Sequence, residues 1–250
     1  MRGLSHILLA TTIAYLALPI VGLILQLDYT DLNILKLGTS LFPALQLSLA
    51  TAIVSTFLLV LFGTPLAWWL SQKFDSRPPL GIQVLIHWPL VIPPSVLGLA
   101  LLDTYGAQGI LQANVAFTPS ALILIQTIVA APLYLHAALS SFASTETSYI
   151  DVARTLGASP TLIAKDIVWP LHRWSLLGGA SLAFARALGE FGATLIFAGN
   201  LPGTTQTMPL AIYEFLETDL NAARLLALLL LGIALTLIVS AYRFRDRSGR

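Results

Sequence analysis

The amino-acid sequence predicts an all-α, polytopic membrane protein with six transmembrane helices and one structured cytoplasmic loop. Three observations carry that expectation. The 250-residue chain is 56% hydrophobic and only 10% charged, with a mean hydropathy of +0.82, whereas a soluble domain carries about a quarter charged residues. The apolar residues fall into runs long enough to cross ~30 Å of hydrocarbon as helices. Lys and Arg cluster in alternate connections between those runs, the bias that orients membrane helices.

The chain reads as a single transmembrane domain, residues 1–250, with spans near 7–26, 46–70, 82–102, 120–142, 176–198 and 224–242. The first run follows Arg2 and has some character of a secretory signal. It is longer than the ~7–15 residues of a signal core and lacks a small-x-small cleavage site, so it is read as a span. Gly63-Thr64-Pro65 is expected to interrupt the second helix, Pro93-Pro94 and Gly98 the third, and Pro132 the fourth. Each Pro removes a backbone donor, tolerable in lipid where neighbouring helices or a wet cavity meet the freed carbonyl. Such breakers make either packing kinks or a bent-helix bundle around a pathway.

Six spans place Arg2, Lys73, Arg77, Arg154, Lys165, Arg173, Arg243, Arg245, Arg247 and Arg250 on one side, with Lys36 and Arg224 opposite. The first side is therefore expected to be cytoplasmic, with both termini on it. Trp68, Trp69, Trp169 and Trp174 lie near that boundary, as an interfacial aromatic belt does.

The same pass excludes several functions. A net charge of +1 gives no basis for a nucleic-acid partner, and the lack of Cys removes disulfide, Cys-zinc and thiol chemistry. His6, His87, His136 and His172 are scattered, with neither H-E-x-x-H nor G-x-S-x-G, so no catalytic or metal-binding residues are assigned. No G-x-x-x-x-G-K-[ST] loop is present to hold ATP. A stand-alone secondary transporter would be favoured by an inverted repeat, and none is visible.

Residues 143–173 join the fourth and fifth spans and are unusually polar for this chain. Thr147-Ser148-Tyr149 offers hydroxyl caps to a short helix with Asp151 in its first turn. Gly157 permits the positive φ that ends it. Ser159-Pro160 opens a second helix, expected to end before Pro170.

Asp151-Val152-Ala153, then Gly157 after three residues, then Ile167 after nine more and Pro170 beyond it, resemble the "EAA" coupling loop of ABC importer permeases. That pattern reads E-A-A, three residues, G, nine residues, I-x-L-P. Asp151, Val152 and Trp169 depart from it, the first keeping the charge and the others the apolar character. The resemblance implies that Asp151, Val152, Ala153, Arg154, Gly157, Ile167 and Pro170 couple this chain to a separate ATPase. ATP would be used there, and this chain would bind no cofactor.

Within the fifth span, Ser175, Gly179, Ala183 and Ala187 form a narrow face of small residues suited to close helix approach. Arg186 and Glu190, four apart, can pair, either as a structural pair or as part of a pathway lining. The stretch from Glu190-Phe191-Gly192-Ala193-Thr194 through Asn200 to Thr205-Gln206-Thr207 is similar to the molybdate-type ABC permeases, related to sulfate permeases. Pro93-Pro94-Ser95-Val96-Leu97-Gly98 shares that likeness.

The resemblance implies a type I importer permease of a bacterial cytoplasmic membrane. It would act as a homodimer with two ATPase subunits and an extracytoplasmic oxyanion-binding protein, and carry molybdate, with tungstate or sulfate as alternatives. Arg186, Glu190, Phe191, Thr194, Asn200, Thr205, Gln206 and Thr207 are the pathway candidates. Hydroxyl and amide donors hold tetrahedral oxyanions without a fixed cationic cage. The run Leu210–Glu217 is expected to form a short exterior helix, a docking surface for the binding protein.

Overall fold

The computed structural model describes residues 2–28, 34–74, 78–145 and 147–248, except the side chains of 2–5, 34–40, 147, 245 and 247–248. Arg77 and Arg250, and the side chains of Arg2, Lys36, Thr147, Arg245 and Arg247, lie outside the described residues. In chain order the helices are α1 (Arg2–Leu25), α2 (Ile34–Leu58), α3 (Thr64–Lys73), α4 (Leu80–Val91), α5 (Pro94–Tyr105) and α6 (Pro119–Ala143). They continue as α7 (Thr147–Thr155), α8 (Pro160–Ile163), α9 (Trp169–Leu188), α10 (Gly192–Phe197), α11 (Met208–Thr218) and α12 (Leu220–Ser248). No strand occurs among the described residues.

Among the described residues, four helical segments are long and apolar enough to cross a membrane: His6–Leu25, Leu41–Lys73, Pro119–Ala143 and Leu220–Phe244. The bent pair α4 and α5 raises the number to 5 if it counts as one span. Helix stands at all six expected places, but the fifth begins earlier, at Trp169, and divides into α9 and α10. Within α9, His172, Arg173 and Arg186 lower the hydropathy, and α10 is only six residues long, so neither joins the apolar set.

Three expected interruptions turn out differently. Gly63-Thr64-Pro65 does not break the second span. The turn Leu59–Gly63 widens to π-helix and Pro65 falls in the first turn of α3, where its missing N–H costs little. Pro132 leaves α6 continuous from Pro119 to Ala143. The break at Pro93-Pro94 is real, and α4 and α5 meet at 109°. There the restriction that proline places on its predecessor holds Ile92 extended, at φ −70° and ψ 134°. Gly98 lies inside α5 as a packing residue.

The centre of the bundle is the α6–α9 pair. A Cβ on Gly179 would come within 2.7 Å of the Ala137 Cβ, so glycine sets how closely these helices approach. Ala183 and Ala187 continue the buried small-residue face. Tyr134 of α6 is fully buried, and its hydroxyl lies 2.6 Å from Thr64 Oγ1, which joins α6 to α3.

Contacts fix the two ends of the bundle. Trp68 packs on Phe142 at 5.3 Å and Trp174 stacks on Phe244 at 5.9 Å. The ends of α3, α6 and α12 and the start of α9 therefore meet beside the 143–173 loop. Lys73 stands over the Trp69 ring at 4.6 Å and Arg173 over Trp174 at 5.1 Å, so cations and tryptophans share that end. At the other end, Asn221 Nδ2 donates to the Asp28 carbonyl at 2.6 Å and Arg224 Nη1 to the Gln26 carbonyl at 2.9 Å. Helix α1 is otherwise apolar and exposed, as Ile7, Ile13 and Leu16 show. Such a surface is stable with lipid as its solvent.

Candidate functional site: a loop hairpin and two adjoining helix breaks

The loop folds as a helical hairpin. Helix α7 begins at Thr147, so Thr147, Ser148 and Tyr149 lie inside it and Asp151 sits past its first turn, a correction to the capping expected from sequence. Gly157, at φ +82°, ends the segment as expected. Ser159 caps α8 by accepting the Leu162 N–H at 3.3 Å. The second helix does not stop before Pro170. It passes through a π-helical turn, Ala164–Val168, into α9, and Pro170 occupies a first-turn position where a ring is tolerated.

One face of the hairpin anchors it. Ile150, Ala153, Ile163 and Val168 are buried, Ile167 packs beside them, and all join the core built around Leu70 and Phe142. The other face is open. Tyr149, Val152 and Leu162 are exposed, and Leu156 is 82% exposed. Asp151 and Arg154 pair across this face at 3.4 Å, an exposed contact worth about 0–1 kcal/mol. The sequence-derived coupling set is thus divided. Ala153 and Ile167 hold the hairpin to the bundle, while Asp151, Val152, Arg154, Gly157 and Pro170 face outward.

At the foot of the hairpin, His172 is buried against Phe142, with Nδ1 2.8 Å from Ser141 Oγ and Nε2 2.8 Å from Thr145 Oγ1. Burial pushes its imidazole below the usual histidine range.

The second region lies where α4–α5 and α9–α10 each break, and the two breaks touch. A Cβ on Gly192 would meet the Pro94 Cβ at 2.8 Å, and one on Gly98 would meet the Ala193 carbonyl oxygen at 2.8 Å. Glu190 organises the second break. Its carboxylate is 2% exposed, Oε2 pairs with Arg186 Nη1 at 2.9 Å, and Oε1 accepts the Ala193 N–H at 3.0 Å. It therefore satisfies an otherwise unmet donor at the start of α10. Phe191, in the break itself, packs against Tyr213 of α11 at 5.4 Å.

The loop beyond α10 turns on Gly199 at φ +73° and Gly203 at φ +76°. The Leu201 carbonyl accepts N–H groups from Thr204, Thr205 and Gln206. Asn200 Nδ2 and Gln206 Nε2 both donate to Glu214 Oε2 on α11. Thr205 is buried, and its hydroxyl accepts the Leu201 N–H at 3.2 Å. Thr194 and Thr207 are buried with hydroxyls that find no partner among the described residues.

Two expected oxyanion donors, Asn200 and Gln206, are thus occupied by a carboxylate. Sequence reading missed Glu214, whose one signal is its place on a short amphipathic helix. It also missed Ser48, which accepts the Met208 N–H at 2.8 Å and seats α11 on α2. The expected exterior helix at 210–217 is present as α11.

Apolar helices long enough to cross a membrane, a projecting hairpin and two abutting helix breaks define a polytopic membrane protein of the helical-bundle class. Residues 63–248 match the family described as binding-protein-dependent transport system inner membrane component. The chain belongs to that family. It is 40% identical over 235 residues to the molybdenum transport system permease protein ModB of Mycobacterium tuberculosis, covering 91% of this chain and 88% of the relative. It is 36% identical over 250 residues to a probable molybdenum ABC transporter permease of Haloferax volcanii, with 95% and 88% covered. It is 32% identical over 222 residues to ModB of Escherichia coli K12, with 83% and 96% covered. The structure is similar in fold to an inward-facing MetNI methionine ABC transporter chain, with a TM-score of 0.67, 16% identity, and 84% of this chain and 97% of that one covered.

Proposed function

We infer that this chain is the permease subunit of an ATP-driven importer that carries molybdate across the membrane. The observation that carries the coupling half of this reading is the hairpin. A segment that anchors one apolar face while leaving Tyr149, Val152 and Leu156 open has a surface made for a partner. The substrate half rests on relatives named for molybdenum transport that match the chain over most of its length.

The chain forms a homodimer on two ATPase subunits, which bind and hydrolyse the ATP. An extracytoplasmic binding protein delivers the anion near α11. The hairpin and both termini face the cytoplasm, consistent with the cations at that end. Asp151, Val152 and Arg154 make the ATPase contact. The α5–α10 contact and the Asn200–Thr207 loop form the exterior gate. With Asn200 and Gln206 held by Glu214, the loop serves to close the gate rather than to cage the anion.

The test is uptake by vesicles containing the permease, its ATPase and the binding protein. ATP should drive molybdate or tungstate uptake only when the binding protein is present. Uptake of sulfate alone would reassign the substrate, and ATP-independent uptake would overturn the reading.

A further inference from the structure

A cavity of about 650 Å³ lies between α4, α6, α9 and α12, apart from the helix breaks and reaching Ser141 and Ser144 at the foot of the hairpin. Its lining includes His87 from α4, His136 and Ser140 from α6, Ser175 and Leu182 from α9, and Tyr242 from α12. His136 lies roughly 25 Å along α6 from Pro119, which places the cavity in the hairpin half of the bundle.

None of the residues lining the cavity is Asp, Glu, Lys or Arg, so no fixed charge sets the sign of a guest. The wall offers neutral donors instead, which hold tetrahedral oxyanions without a cationic cage. The His136 imidazole, the Ser140 hydroxyl and the Tyr242 hydroxyl make no hydrogen bond among the described residues. His87 and His136 stand edge to face with ring centroids 6.0 Å apart. His87 Nδ1 is held 2.8 Å from the Gln83 carbonyl, which can only accept, so that ring is fixed and in turn positions His136. His136, Ser140 and Tyr242 are exposed, so a guest in the cavity reaches all three, and an oxyanion can accept from each. The volume also admits an anion with part of its hydration shell, since one water occupies about 30 Å³ in the liquid.

We propose that this cavity is a station for the transported tetrahedral oxyanion on the hairpin side of the helix breaks, held by His136, Ser140 and Tyr242, with His87 as a positioning residue. The proposal rests on the oxyanion-transport reading above.

The experiment is equilibrium binding of tungstate to the permease–ATPase complex in lipid nanodiscs, without the binding protein. The expected result is saturable binding at one site per permease chain. It should weaken at least tenfold in the His136→Ala, Ser140→Ala double variant and recover partly with His136→Gln, which keeps a donor. Ser140→Asp, a substitution at an exposed helix position, should abolish binding by placing a carboxylate in the wall. Absence of saturable binding to the unaltered complex would overturn the station. So would unchanged binding in both the double and the Asp variants. Binding seen in detergent but lost in nanodiscs would assign the cavity to a lipid phosphate and overturn it as well. ATP-driven molybdate uptake is measured on the same preparation. Uptake without tungstate binding sinks the station alone, whereas absence of any oxyanion uptake sinks the transport reading itself.

Discussion

Glu190 is constrained twice, because one buried carboxylate serves both an ion pair and a helix start. Its pairing with Arg186 was legible from the four-residue spacing. Its second partner was not, because sequence does not show that the helix ends at Leu188. Removing one member of a fully buried pair leaves a charge without compensation, which costs about 3–5 kcal/mol, and less where the charge left behind is 30% exposed, as Arg186 is. Glu190→Gln should therefore lower the melting temperature of the purified protein sharply. The double variant Arg186→Met, Glu190→Gln should recover part of the loss, and failure to recover would mean that the uncompensated Arg186 charge is not its source.

His172 gives a pH signature. Its folded imidazole is held below its unfolded value of about 6.5, so the neutral ring is favoured in the fold. The associated stability is complete above pH ~6.5 and is lost as pH falls through the lowered folded value. Melting curves between pH 8 and 5 should show this decline, and His172→Gln should flatten it.

At the scale of elements, breaks were legible where the chain's own covalent chemistry makes them. Pro93-Pro94 bends the third span because two consecutive rings restrict the backbone before them. Pro132 does not break α6, and the break after Leu188 contains no proline at all. It arises from Gly189 and from the tertiary contact of Gly192 with Pro94, which no local pattern shows. The same contacts predict which glycines matter. Gly98→Val and Gly192→Val place atoms where backbone or ring already stands, and overpacking costs about 1–3 kcal/mol or more. Gly81→Val and Gly22→Val meet nothing within 4 Å and should insert and melt normally. In the hairpin, Ala153→Pro breaks the buried turn of α7 at a cost of about 3 kcal/mol or more. It should abolish ATP-coupled uptake while the protein still inserts. Asp151→Lys should do the same through the exposed face alone, and uptake that survives both changes would remove the hairpin from the coupling path.

For the whole molecule, an expected orientation was readable from the cations, whose bias orients membrane helices. The lateral arrangement was not, since an apolar helix offers no sequence label for the neighbour it packs against. The absence of Cys makes orientation simple to test. A single cysteine at Leu156 should react with a membrane-impermeant maleimide only from the cytoplasmic side, and one at Thr204 only from the exterior. Reversed labelling would invert the bundle and remove the ATPase from its expected face.

Because the breaks in α4–α5 and α9–α10 abut, α5 and α10 are fastened to each other through Gly98, Ala193, Gly192 and Pro94. Each remains tied to the rest of its own span only by a few non-helical residues. A tug on α9 from the hairpin end would reach α10 and, through their contact, α5, and the pair would shift as one body over Ala121, Leu122, Ile125 and Val129 of α6, on which both are seated.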